Sequence, residues 1–121
     1  MASTALTADH LHIRFTAGER MWIRREHLTV PLTAVRDATA VTEPLRLARG
    51  ARSGLAVSGF VKIGTWGVLG GPRQLVSARA GQPGLHLTVD RAVTGYDEIL
   101  LSDPTAPTVA DAIRHATRSR P

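Results

Sequence analysis

Apolar and polar residues alternate with a period of two along much of the chain, a pattern typical of β-strands with one buried face. The alternation is clearest in residues 10–15 and 85–89, where every second residue is apolar. It predicts further strands over residues 20–25, 28–32, 36–42, 56–66, 74–79 and 96–101. Pro31 cannot donate a backbone hydrogen bond, which puts the 28–32 strand at a sheet edge. We therefore expect a mainly β protein.

The middle of the chain, residues 50–79, contains seven glycines between short apolar runs. Each interior glycine destabilises a helix by about 1 kcal/mol relative to alanine, so this stretch is not helical. Glycine suits tight turns and the corners of a bent sheet. We expect strands here, with a corner at Gly59 or Gly64 and a turn at Gly70-Gly71-Pro72.

The period changes to that of a helix near the end of the chain. Four apolar residues follow the spacing i, i+3, i+4 and i+7 of one helix face, namely Val109, Ala112, Ile113 and Ala116. Either Asp103 or Thr108 is suited to cap the start of this helix. Residues 1–9 show no usable period and predict a frayed N-terminus.

The length of 121 residues fits one domain, which we place at residues 10–118. Cysteine is absent, which excludes disulfides, thiolate metal sites and cysteine nucleophiles. The first residues lack a basic n-region, and no apolar segment approaches the length needed to cross a bilayer. A cytoplasmic protein is the expectation.

Positive charge is the strongest compositional feature. Fourteen of the fifteen basic residues are arginine, and the formal net charge is +5. Such a potential attracts nucleic acid or anionic lipid, although the dispersed charges are also typical of a solvated surface. The densest group is Arg46, Arg49 and Arg52, flanked by Lys62 and Arg73. These five residues are the candidate anion-binding or partner-binding site.

No catalytic constellation emerges from the motifs. Ser58 lacks the preceding glycine of a nucleophile elbow, and the glycines from Gly64 to Gly67 do not match a dinucleotide-binding fingerprint. His10 and His12 would point to the same side of a strand, but Asp9 is the only carboxylate beside them. We predict no catalytic residues, no metal site and no cofactor.

Two alternative functions remain open at this stage. Single-stranded nucleic acid is bound by aromatic rings interleaved with positive charge, and only Trp66 with Lys62 and Trp22 with Arg24 offer that combination. A small enzyme or ligand carrier would instead use the interior of a barrel, with His12 or His86 as a polar group in the pocket.

The order of these features resembles the bacterial pleckstrin-homology-like (PH-like) domains, especially small actinobacterial members. The resemblance covers residues 10–118. It rests on turn chemistry and order: Val30-Pro31, Gly64-Thr65-Trp66-Gly67 with Gly70-Gly71, Tyr96, and Asp103-Pro104 before one amphipathic helix.

The resemblance implies a partly open antiparallel barrel of about seven strands, capped by one C-terminal helix. It implies binding or assembly rather than catalysis, often as an oligomer. Phosphoinositide-binding relatives carry basic residues around the first hairpin, whereas the corresponding turn here, residues 17–20, contains Glu19. The expected function is therefore a non-catalytic binding or assembly domain, whose partner is a protein or a second copy that joins at an exposed strand edge. Nucleic acid or anionic lipid bound through the basic loop is the alternative.

Overall fold

The computed structural model describes residues 1–118, which form nine strands, three α-helices and two short 3-10 turns. The strands are β1 (Ser3–Leu6), β2 (His10–Arg14), β3 (His27–Pro31), β4 (Val35–Val41), β5 (Arg52–Val57), β6 (Val61–Trp66), β7 (Gln74–Arg79), β8 (Gly84–Val89) and β9 (Glu98–Ser102). The helices are α1 (Ala17–Ile23), α2 (Arg91–Thr94) and α3 (Ala106–Arg118), and the 3-10 turns are Leu32–Ala34 and Pro44–Leu47. The prediction of a mainly β protein with a C-terminal helix is confirmed.

The strands form two open sheets. The smaller sheet is antiparallel with the order β1-β2-β3, and the larger has the order β4-β8-β9-β7-β6-β5. All pairs in the larger sheet are antiparallel except β7 with β9, which run parallel. The prediction of an all-antiparallel arrangement is therefore wrong. Alternation shows which residues form a strand but carries no information about its neighbours, and β9 inserts between β7 and β8.

Most of the apolar core lies between the smaller sheet, one face of the larger sheet, and helices α1 and α3. We call this face of the larger sheet the inner face; Ile63, Leu75 and Ile99 project from it. The opposite face, which we call the outer face, carries Trp66 and Leu100 and is covered by apolar residues of the segment that precedes β5. Residues 43–50 are called the outer segment below.

Helix α1 occupies the place of the first-hairpin turn at residues 17–20 and of the strand predicted at residues 20–25, so both predictions are wrong. Thr16 and Glu19 form a capping box: the Thr16 hydroxyl accepts from the Glu19 N–H, and the Glu19 carboxylate accepts from the Thr16 N–H at 2.9 Å. These bonds satisfy backbone donors that a helix start leaves unpaired. Glu19 is buried and also accepts a hydrogen bond from the Ser77 hydroxyl, which joins α1 to β7.

The N-terminus also differs from the prediction. Instead of fraying, Ser3–Leu6 pairs with β2 in the register Ser3↔Arg14 to Leu6↔Leu11. Backbone hydrogen bonds between strands do not depend on side-chain alternation, so a short segment without a clear period can still add to an edge.

Helix α3 confirms the predicted helix, with one change in the buried face. Ala106, Ala110 and Ile113 are buried, whereas Ala112, which the spacing places on the apolar face, is exposed. Before the helix, the Asp103 carboxylate accepts from the Thr105 N–H at 2.8 Å, so Asp103 rather than Thr108 supplies the side-chain acceptor at this end. Among residues 1–118, no helix combines the length and the apolar character needed to cross a bilayer.

The glycines shape the β5–β6 hairpin that borders the site described below. Gly59 lies in the turn with φ of +77°, so the corner is at Gly59 rather than Gly64. Gly54 and Gly64 face each other across the two strands. A Cβ on Gly54 would collide with the carbonyl oxygen of Ile63, and one on Gly64 with that of Ser53. The absence of side chains lets the strands approach at this pair.

Candidate functional site

The predicted cluster of basic residues is divided between the two faces of the larger sheet. Arg49 and Arg46 belong to the outer segment. Lys62 and Arg52 project from the outer face, because residues directly opposite each other on neighbouring strands point to the same face and the residues opposite these two belong to the apolar cluster of the outer face. Arg73 instead lies beside residues of the inner face. The structure therefore does not bring the five residues together around one ligand.

The side chains of three of the five make polar contacts within residues 1–118. The Arg49 guanidinium donates to Glu98 Oε2 at 2.8 Å, and Arg46 pairs with Glu43 at 3.1 Å. Lys62 Nζ donates to the Leu45 carbonyl oxygen at 2.9 Å. The Arg49 and Lys62 contacts attach the outer segment to the sheet, whereas the Arg46–Glu43 pair lies within that segment. Anion binding by this set stays a prediction.

Gln74 and Glu98 complete this attachment. Gln74 is fully buried; its Oε1 accepts from the Arg49 N–H and its Nε2 donates to the Leu47 carbonyl, each at 2.8 Å. The second Glu98 oxygen lies 2.7 Å from His86 Nε2. Both carboxylate oxygens of Glu98 are thus occupied by partners from the chain. This polar cluster holds the outer segment over the apolar residues of the outer face.

The other histidines lie away from the core. His12 is exposed, and its ring centroid is 6.1 Å from that of His10. Within residues 1–118, no group of three ligating side chains is arranged to hold a metal ion. Apolar side chains fill the core. His12 is exposed, and His86 contacts Glu98 on the outer face instead of facing the core.

A second group of arginines converges on the inner-face side of the hairpin. A groove of about 630 Å³ lies between the end of α1, strands β5 and β6, and the loop before β7. Its lining residues come from five separate segments; they are Trp22, Ile23, Arg24, Arg25, Ser53, Thr65, Val68, Arg73 and Tyr96. None of these nine residues is acidic. We call it the basic groove.

The end of α1 positions two of the arginines. Arg24 is the C-terminal capping residue, with φ of +65° and ψ of +29°, and its N–H donates to the Arg20 carbonyl at 2.8 Å. Within residues 1–118, it is the only residue other than glycine with positive φ. Glycine is favoured in this left-handed conformation because it has no Cβ. The chain therefore holds an arginine at the groove in a backbone conformation that an L-residue adopts at some cost.

Arg25 and Arg73 are held by contacts to the segment around Tyr96. The Arg25 guanidinium lies over the buried Tyr96 ring, 5.7 Å from its centroid. The Arg73 N–H donates to Asp97 Oδ2 at 2.9 Å, which fixes the backbone from which its side chain enters the groove. Within residues 1–118, none of the three groove guanidinium groups forms an ion pair with a carboxylate.

The groove offers two kinds of interaction to a ligand. The three guanidinium groups and the hydroxyls of Ser53 and Thr65 supply hydrogen-bond donors suited to carboxylate or phosphate oxygens. Trp22, which is 38% exposed, adds an apolar surface at the rim. The groove therefore presents positive charge, hydrogen-bond donors and an apolar surface side by side.

Only part of the groove could be found in the sequence. Arg73 belongs to the predicted candidate set, and the pair Trp22 with Arg24 matches one of the two aromatic and basic combinations noted there. Arg25 was missed because residues 20–25 were interpreted as a strand. The available signal was the Thr16-x-x-Glu19 capping motif, which indicates that a helix starts here.

Comparison of the chain with protein-family models, with curated proteins and with solved structures gives no match. Its function is therefore inferred from the geometry of the molecule.

Proposed function

We propose that the protein is a non-catalytic binding domain that recognises an anionic partner through the basic groove. One observation carries the proposal: Arg24, Arg25 and Arg73 converge on a groove with no acidic lining residue and no ion-pair partner of their own among residues 1–118. Uncompensated like charges in one place repel each other, and an anionic ligand relieves that repulsion.

The magnitude of the expected interactions suits a specific binding site. A hydrogen bond to a charged group contributes about 1.5 to 3 kcal/mol, and guanidinium groups bind carboxylate or phosphate through two parallel N–H donors. Arg24 and Arg25 are exposed and Arg73 is half-buried, so salt screens their charges and the affinity for an anionic partner should fall as the salt concentration rises.

A PH-like relationship is part of the proposal. It is supported by the predominance of β-structure and by α3, which packs against β4 and β8 at the end of the chain. The open larger sheet and the parallel β7–β9 pair are departures from the partly open antiparallel barrel that the resemblance implies. A binding role, rather than the barrel geometry, is the element of the resemblance that the basic groove supports.

The test is a binding assay with three anionic probes: a labelled acidic peptide, a labelled single-stranded DNA, and vesicles of anionic lipid. We expect at least one probe to bind at low salt and to lose about tenfold in affinity on Arg24→Gly or Arg73→Ala. Arg36→Ala is the matched control, since Arg36 is an exposed arginine on β4, at the opposite edge of the larger sheet. The proposal fails if no probe binds, or if all three variants reduce binding equally.

A further inference from the structure

We propose that the occupant of the basic groove is an extended acidic segment of a partner protein, which adds as a strand to the outer edge of β5. This inference rests on the proposed function and names the class of its partner. Two features that lie next to each other carry it, namely an unpaired strand edge and the arginines beside that edge.

The edge of β5 is suited to strand addition. β5 is the last strand of the larger sheet and pairs only with β6. No backbone hydrogen bond from residues 1–118 reaches its outer side. Every second residue of such an edge directs its N–H and C=O groups away from the sheet, where they remain available to another strand.

The other edges are less suitable. β4 carries a register irregularity between Val35 and Asp37, which interrupts the regular spacing of its backbone groups. In the smaller sheet, β3 ends at a proline and β1 spans four residues. Irregular, proline-containing and short edges resist further pairing, whereas β5 offers six residues in continuous register with β6.

The groove lies on the side where the side chains of an added strand would point. Ser53 of β5 lines the groove. Residues directly opposite each other on neighbouring strands project to the same face, and neighbouring strands lie about 4.8 Å apart. The residue opposite Ser53 would therefore direct its side chain toward the groove that Arg24, Arg25 and Arg73 line. An aspartate or glutamate at that position is the complementary choice.

At the other end of β5, near the turn of the β5–β6 hairpin, the exposed surface favours an apolar residue in the added strand. Val57 projects to the same face as Ser53, four residues along the strand, and is 46% exposed; Phe60 in the adjacent turn is 68% exposed. An added strand would cover this apolar surface with an apolar residue. The preferred segment is therefore acidic near Ser53 and apolar near Val57.

Charge argues against a second copy of this chain as the occupant. The chain carries a net charge of +5, and β5 itself contains Arg52 and no acidic residue. Pairing of two β5 strands would therefore bring no carboxylate of β5 to the arginines of either groove. A strand of opposite charge satisfies both the edge and the groove.

The experiment uses the full chain and a short labelled peptide that alternates glutamate with threonine and ends in valines. Two further versions are methylated on the backbone nitrogens of either the odd or the even residues. An added strand directs only one of these sets of N–H groups toward β5. We expect one methylated version to bind about tenfold more weakly and the other to bind within about twofold of the parent peptide.

The outcomes separate this inference from the proposed function. If the two methylated peptides bind equally well, or lose affinity equally, strand addition is overturned. If Arg24→Gly still lowers the affinity for the parent peptide, the groove remains the anion site. If the DNA or the vesicles bind and the peptide does not, the inference is also overturned and the proposed function stays intact. If none of the three probes binds, both proposals fail. Analytical ultracentrifugation showing a dimer that Ser53→Arg dissociates would assign the edge to a second copy and overturn the inference.

Discussion

The guanidinium carbon of Arg25 lies 5.7 Å from the centroid of the Tyr96 ring. Tyr96 is buried beneath it, and its carbonyl accepts from the Thr94 hydroxyl at 2.8 Å. The pair joins the end of α1 to the segment before β9, two regions far apart in the sequence. It therefore orients one groove arginine before any ligand binds.

Replacement of Tyr96 by leucine is expected to weaken binding to the acidic peptide. A cation–π contact of this kind contributes about 0.5 to 1 kcal/mol, so we expect a loss of about two- to fivefold in affinity. Fluorescence anisotropy measures the change. Tyr96→Phe retains the ring and should bind as the parent protein does; equal losses in the two variants would show that the ring is not what orients Arg25.

Arg24→Gly separates binding from folding. Glycine adopts positive φ without the cost that arginine pays, so we expect the free energy of unfolding to be unchanged or to rise by up to about 1 kcal/mol. Affinity for the peptide should fall by about tenfold, since one guanidinium is lost. Urea unfolding and anisotropy measure the two quantities.

Arg24→Ala is the matched control for that variant, because alanine removes the guanidinium but keeps the Cβ at positive φ. It should lose affinity to the same degree without any gain in stability. Full affinity in both variants would exclude Arg24 from the binding site.

A carboxylate introduced on β5 should block the basic groove from within the chain. Ser53 is exposed and lines the groove, so Ser53→Glu places an anion beside the three arginines without disturbing the core. We expect about a tenfold loss of affinity at low salt and a smaller loss at high salt, where the introduced charge is screened. Ser53→Gln, which has a similar size but no charge, should bind nearly as the parent does. A loss of the same size in Ser53→Gln would point to steric exclusion instead of charge.

The cluster around Glu98 should affect stability and leave the groove unchanged. Glu98→Ala removes the partner of both Arg49 and His86, so we expect the free energy of unfolding to fall by about 1 to 3 kcal/mol. Peptide affinity should stay within about twofold, because Glu98 projects from the outer face and the groove lies on the other. Urea unfolding checks the first expectation and anisotropy the second; a large loss of affinity in a stably folded variant would contradict this separation of the faces.

The predicted strands correspond closely to those of the structure where side-chain alternation is strong. Residues 10–15 and 85–89 were predicted as strands and form β2 and β8 within a residue or two. Alternation indicates these strands because one face of each is buried, and burial acts on each residue through its own hydrophobicity. Helix α3 was predicted for the same reason, since one of its faces is buried and its apolar residues repeat with the period of a helix.

Local capping chemistry overrode the apparent alternation in residues 20–25. Met21 and Ile23 suggested a buried strand face, but Met21 is 71% exposed and only Ile23 is buried. The capping box between Thr16 and Glu19 starts α1 in this region. This error also concealed the groove, since Arg24 and Arg25 occupy their positions because a helix ends there.

The sequence by itself determined the β-rich class, most strand positions, the C-terminal helix, the excess of arginine and the absence of cysteine chemistry. Only the tertiary structure decided the strand order, the parallel β7–β9 pair and which arginines meet. It placed Arg49 on the outer face, paired with Glu98, and Arg73 on the inner-face side with Arg24 and Arg25. The physical reason is that hydrophobic periodicity is a local property, whereas the meeting of charges across a sheet depends on strand order and on long-range packing.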